Sequence, residues 1–177
     1  MANSNGQNLN PLPEGLETGV LYHISPAMEE GNPEKLCAST SSTQIDSDYE
    51  IHLNQWGALG KSTYQTFVLS ETDSDGILSY SLTNVFTALP VSCEVDANIA
   101  CAGGADAGSW PLSFELDSDE TSILISTNGL YLTAPENFQS GGQLSFSAEK
   151  ENKTGQKWKF QKPTIGFVDT DGFKDFK

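Results

Sequence analysis

Two short patterns recur three times along the chain, and this repetition constrains the fold more than any other feature. The first closes each third: Gln65-Thr66-Phe67-Val68-Leu69, Leu112-Ser113-Phe114-Glu115-Leu116 and Gln156-Lys157-Trp158-Lys159-Phe160. Each has an aromatic residue, one spacer and a large apolar residue, and Phe67, Phe114 and Trp158 are separated by 47 and 44 residues. The second pattern runs from large apolar to small residues: Lys35 to Ser39, Asn84 to Leu89 and Gly129 to Ala134. Here Cys37, Thr87 and Thr133 align, 50 and 46 residues apart. Two independent patterns with nearly one period point to three copies of one structural unit.

Within each unit the apolar residues form short, often alternating runs bounded by turn residues, which is the signature of β-strands. Leu21 to Ser25, Ile77 to Ser81 and Ile123 to Ser126 open the units. Tyr49 to Leu53, Asn98 to Ala102 and Leu144 to Ala148 supply third strands. The acidic segments Glu71 to Gly76, which ends on glycine, and Asp117 to Glu120 read as turns. The expectation is an all-β chain of twelve strands in three pseudo-repeats. One such unit cannot bury its apolar face alone, so the three must share a core. Phe67 with Leu69, Phe114 with Leu116 and Trp158 with Phe160 should converge there, with the strands closed into a barrel that leaves no sheet edge. Residues 1–15 read as a flexible lead and 16–162 as the domain. Residues 163–177 form a tail whose Phe167, Phe173 and Phe176 could dock on it.

Bulk properties narrow the function. The net charge of −15 repels phosphate backbones and anionic lipid, so neither nucleic acid nor a membrane is an expected partner. No apolar run approaches the length of a membrane span, and the polar start from Met1 to Gly15 is no secretory signal. The expected location is cytoplasmic, or secreted without a classical signal peptide. Cys37, Cys93 and Cys101 are an odd number; free thiols are one reading, and a Cys93–Cys101 bridge is another. Only His23 and His52 could act as neutral-pH bases, and neither lies in a nucleophile motif, so no enzymatic activity and no catalytic residue is expected. Asp73-Ser74-Asp75-Gly76 and Asp169-Thr170-Asp171-Gly172 space carboxylates as hard cations prefer. Both lack the closing Glu of a calcium loop, and turn chemistry explains them, so no metal and no cofactor is expected.

The third unit resembles a ricin-B-type β-trefoil repeat. It carries Asn128-Gly129-Leu130-Tyr131-Leu132, Gly142-Gln143-Leu144-Ser145-Phe146 and the Gln-x-Trp motif Gln156-Lys157-Trp158. Gln65-Thr66-Phe67 is a near form and Leu112-Ser113-Phe114 a degenerate one. The resemblance spans about residues 16–162 and implies a β-trefoil whose common activity is carbohydrate binding. By that likeness Phe146 matches the aromatic of the sugar pocket and Gln156 its glutamine. The Asp position falls near Thr133 or Ala134, and the Asn position is Gly155. In the first unit Gln65 matches, Tyr64 replaces the Asn, and Cys37 with Ala38 replaces the Asp. The galactose-type pocket is therefore incomplete in both units. The opening Gly19-Val20-Leu21-Tyr22-His23-Ile24-Ser25 is also similar to the first strand of β-trefoil protease inhibitors, of the plant Kunitz and fungal cysteine-protease types. That second likeness implies a loop inserted into a protease, with Pro26 to Glu34 and Leu89 to Asn98 as candidates.

Loop aromatics next to amides are the residues best suited to a sugar, since a ring stacks on its apolar face and an amide bonds its hydroxyls. Asn54, Gln55 and Trp56 form one such group, and Asn137-Phe138-Gln139 another; Trp110, also in loop sequence, is a further candidate. The competing reading of each Trp is a plug at the end of the barrel. The leading expectation is a lectin-like protein whose partner is a glycan or glycoprotein; the alternative is a protease inhibitor.

Overall fold

The computed structural model describes residues 11–28, 32, 35–41, 44, 48–56, 62–74, 77–94, 98–103, 111–151 and 154–163. Trp110, the tail aromatics, both Asp-x-Asp-Gly segments and much of the expected inhibitory loop Pro26 to Glu34 lie outside these residues in whole or part, whereas in the other expected loop, Leu89 to Asn98, Val91–Glu94 is a strand. Twelve strands follow in order: β1 (Leu21–Pro26), β2 (Leu36–Thr40), β3 (Tyr49–Gln55), β4 (Phe67–Ser74), β5 (Ile77–Asn84) and β6 (Val91–Glu94). Then come β7 (Ile99–Ala102), β8 (Ser113–Leu116), β9 (Ile123–Thr127), β10 (Leu130–Thr133), β11 (Ser145–Ser147) and β12 (Trp158–Gln161). A 3₁₀ turn at Ser62–Gln65 precedes β4.

The threefold plan is visible in the pairings. Each unit contributes one hairpin, β2–β3, β6–β7 or β10–β11. The hairpins interlock cyclically: β3 pairs β7, β7 pairs β11, and His52 bridges Gln143 beside β11. The outer strands of successive units pair as β4–β5, β8–β9 and β12–β1. Within units β1 pairs β4 and β9 pairs β12.

The middle unit departs from expectation in two ways. The expected closed barrel is not completed by regular ladders. Between β5 and β8 only the bridge Tyr80↔Leu112 remains, with Leu112 N–H donating to Tyr80 O at 2.8 Å. Pro111 precedes Leu112 and has no N–H to extend the ladder. The second departure is the strand expected at Asn84 to Leu89, which is a turn. Asn84 Oδ1 accepts from Phe86 N–H and Thr87 N–H, both at 3.1 Å, and Ala88 adopts φ +57°. The strand begins later, at Val91, because the buried Asn84 side chain holds the chain in that turn.

One core serves all three units. Phe67, Phe114 and Trp158 are each at most 2 % exposed and belong to a single buried cluster with Tyr22, Ile24, Leu69, Leu82 and Ile125. Phe160 joins it edge-on to Tyr22 and Phe114, with centroids 5.5 and 6.0 Å apart. Leu116 does not join: it is 47 % exposed, at the end of β8 where the chain turns at Asp117. Leu12 of the lead packs against the core, and Tyr22 Oη–H donates to Gly15 O at 3.5 Å. All three cysteines are buried free thiols. Among the described residues no helix is long and apolar enough to cross a membrane.

Candidate functional site

A cleft of about 960 Å³ lies between β1, β12, the ends of the β2–β3 hairpin and the 3₁₀ turn. Its walls follow from the β1–β12 register, which pairs His23 with Gln161 and Ser25 with Lys159; all four line the cleft. Its rim is set by Asn32, whose side chain accepts from Leu36 N–H at 2.8 Å and donates to Leu36 O at 2.7 Å. Asn32 O also accepts from Lys35 N–H at 3.0 Å, and Lys35 O accepts from Trp56 N–H at 2.9 Å. These bonds fasten the start of β2 to the end of β3.

Trp56 stands at that end, 44 % exposed, and is among the few large apolar side chains left open to solvent. Its ring meets the buried His23 imidazole edge-on, with centroids 4.0 Å apart and planes at 68°. His23 Nδ1–H donates to Gln65 O at 2.8 Å. Burial lowers the His23 pKa, and the bond to the Gln65 carbonyl only partly opposes this, so the imidazole is neutral at pH 7. The exposed indole thus rests on a fixed, uncharged ring. Cys37 also lines the cleft, but burial pushes its thiol up to about 12, and Sγ–H points to Asn54 O at 3.6 Å. A thiol with that pKa is no nucleophile at neutral pH.

Asn54 and Gln55, expected beside Trp56 as sugar contacts, are not among the described lining residues. Gln55 contributes its backbone carbonyl to Gln65 Nε2–H at 2.9 Å. The amides that do reach the cleft are Asn32 and Gln161.

The third unit has a smaller hollow, about 410 Å³, lined by Ala134, Glu136, Phe138, Lys150, Thr154 and Gly155. Phe138 is half-buried with its ring against the core, and Asn137 beside it is exposed. Phe146, matched by resemblance to a sugar-stacking aromatic, is 1 % exposed and part of the core, so neither face of its ring is free for a ligand. Gln156 is fully buried. Its Nε2 donates to Thr133 Oγ1, Ser147 Oγ and Ala148 O at 3.1, 3.1 and 2.9 Å, and its Oε1 accepts from Lys150 N–H at 2.8 Å. Trp158 Nε1–H donates to Leu132 O at 2.9 Å. The Gln-x-Trp motif therefore ties β12 to the β10–β11 hairpin. Both motif side chains are spent on that structural task.

His23, Lys35 and Lys159 line the larger cleft and were not reached by reading motifs. The available signal was alternation: His23 and Ser25 on β1 face Gln161 and Lys159 on β12, polar pairs that an apolar interior would not take. Among the described residues no group of three or more His, Cys, Asp or Glu side chains could hold a metal ion.

No protein-family model matches the sequence, and no curated protein matches it either. Solved structures do. A ricin B-like lectin of Macrolepiota procera in complex with lactose is 13 % identical at a TM-score of 0.64, covering 84 % of this chain and 99 % of its own. The Rhizoctonia solani agglutinin is 16 % identical at a TM-score of 0.64, covering 85 % and 99 %. The Polyporus squamosus lectin, bound to a human-type influenza-binding epitope, is 15 % identical at a TM-score of 0.62, covering 83 % of this chain and 50 % of its own. At these identities the likeness concerns the path of the backbone, and on it, with the three interlocked hairpins, this chain has the β-trefoil fold found in ricin B-like lectins.

Proposed function

We propose that this protein is a non-catalytic, lectin-like binder of carbohydrate, and that its principal site is the cleft beneath Trp56. The observation that carries this reading is an indole 44 % exposed at the mouth of a cleft and fixed from behind by His23. A rigid aromatic face stacks on the C–H face of a sugar ring, while amides and hydroxyls around it bond the sugar hydroxyls. Asn32, Gln161, Ser25 and Thr63 line the same cleft and supply that chemistry. Asn54 and Gln55, adjacent to the indole in sequence, could serve a longer glycan that extends past the rim. Phe138 with Asn137 offers a second, weaker contact in the third unit. The two fungal lectins whose structures hold lactose and a sialylated epitope support a sugar as the ligand class, by fold alone.

The chemistry of the cleft favours binding over catalysis. His23 has Nδ1–H committed to Gln65 O, the Cys37 thiol stays protonated, and no carboxylate is among the described lining residues. Fluorescence titration of Trp56 against immobilised and soluble glycans tests the reading. Glycan binding that Trp56→Ala removes from a still-folded protein is the expected result. A folded wild-type protein that binds no glycan would overturn it.

A further inference from the structure

The Trp56 cleft also gathers positive charge in a chain of opposite sign. The chain carries −15, and all nine of its basic residues are lysines. Lys35, Lys159 and Lys162 line this one cleft, and no Asp or Glu is among its described lining residues. Lys162 Nζ is paired with Glu17 Oε2 at 3.3 Å on the surface. Lys35 and Lys159 make no ion pair among the described residues.

Lys35 is held where it is against local preference. Its φ of +51° lies in the left-handed region, which costs a side chain with a β-carbon conformational free energy and is more usual for Gly or Asn. Two backbone bonds fix it there: its N–H to Asn32 O, and its carbonyl from Trp56 N–H. The ammonium stem and the indole therefore spring from directly hydrogen-bonded residues. On the opposite wall Lys159 pairs across strands with Ser25, two residues beyond His23. Lys35, in the turn before β2, and Lys159 on β12 thus line the same cleft as the edge-on His23–Trp56 pair. With no carboxylate among the described lining residues, these two ammoniums let the cleft receive an anion on a chain whose net charge repels anions.

We infer that the preferred ligand is an acidic saccharide, whose carboxylate or sulfate group reaches Lys35 and Lys159 while a sugar ring lies on Trp56. This rests on the carbohydrate reading above and names its ligand class. A neutral sugar would use the indole and the amides but leave the two ammoniums paired only with water. An acidic one adds charge-assisted bonds, and the preference should be about tenfold at low ionic strength.

A glycan array bearing neutral, uronate-containing and sulfated oligosaccharides, probed with the full chain, tests this. The expected result is that acidic members bind most strongly. Their advantage over neutral members should fade as salt is raised, and the double variant K35Q/K159Q should bring acidic and neutral members to the same level. The uronate and sulfate arms show which anion is the source. Strongest binding to neutral members, or an acidic preference untouched by K35Q/K159Q, would overturn the inference and leave the carbohydrate reading standing. Silence across the array from a folded protein would overturn both. A polyglutamate peptide of similar length is the last arm; binding it as tightly as the acidic glycans would show that the saccharide plays no part and would also overturn the inference.

Discussion

The third unit preserves the Gln-x-Trp motif and offers only a small hollow, whereas the first has lost the Trp of that motif and holds the larger cleft. In the third, Gln156 and Trp158 are fully buried and hydrogen-bonded to the β10–β11 hairpin and the loop after it. In the first, Gln65 plays a similar buried part, with Nε2–H donating to Gln55 O, and Phe67 replaces the Trp in the core. The repeat motif thus builds the fold in both. What distinguishes the first unit lies outside the motif: Trp56 on a hairpin end, His23 on the outer face of β1, and a Lys35 turn held by Asn32. The residues that recur hold the trefoil together, and those that break the repeat line the cleft.

The contrast can be broken most sharply in the third unit. Trp158→Ala empties the centre of the core and should cost about 3–5 kcal/mol, enough to unfold much of the population. A urea titration showing a loss below about 1 kcal/mol would remove the claim that the motif is structural. Gln156→Ala comes next. It strands the polar groups that Gln156 satisfies, including Lys150 N–H, and should cost about 2–3 kcal/mol by the same titration. If the third unit were instead the sugar site, Gln156→Ala would weaken glycan binding with stability unchanged.

Trp56→Ala should show the reverse pattern. An indole 44 % exposed contributes little to the core, so stability should change by less than about 1 kcal/mol, while glycan binding falls at least about tenfold by calorimetry. Gly155→Asn would restore the family's residue at the third-unit pocket. Its φ is +77°, and a Cβ there would meet Ala134 O at 3.1 Å. Strain of about 1 kcal/mol and no gain of galactose binding are expected, read by thermal melting and calorimetry.

The smallest effect concerns pH. His23 titrates below its ordinary 6.5 in the folded state because burial disfavours the imidazolium. The unfolded chain therefore binds more protons as pH falls through 6.5, and stability declines from there down to the folded-state pKa. That contribution is fully present above pH 6.5. Thermal melts of wild type and His23→Gln between neutral and mildly acidic pH should show a shallower decline for the variant. Identical slopes would show that His23 is not buried in its neutral form beneath Trp56.

The repeat was legible because core residues recur with the fold's symmetry: Phe67, Phe114 and Trp158 declared a shared interior by spacing alone. The apolar pattern misleads in the middle unit, where one buried polar side chain, Asn84, turns the chain and delays β6 to Val91. Apolar pattern carries no notice of such a clamp. Alternation puts Leu116 inside, but it holds only while the strand continues, and β8 ends there. Trp56 was legible as an aromatic in loop sequence. His23, Lys35 and Lys159 were not, because they come from β1, the turn before β2, and β12. Only cross-strand register and the Asn32 turn bring them to one cleft. Phe146 and Gln156 were singled out by resemblance, which aligned positions without revealing which side of the backbone they face.

The division of labour between the units is tested most directly by following backbone and indole N–H resonances while adding a glycan that the protein binds. The indole N–H of Trp56 and the amides of Lys35 and Thr63 should move first, ahead of the amide of Phe138 at the weaker second contact, while the Trp158 indole stays in place. Movement confined to Phe138, Thr154 and Gly155, with Trp56 silent, would put the site in the third unit and contradict the assignment to the first.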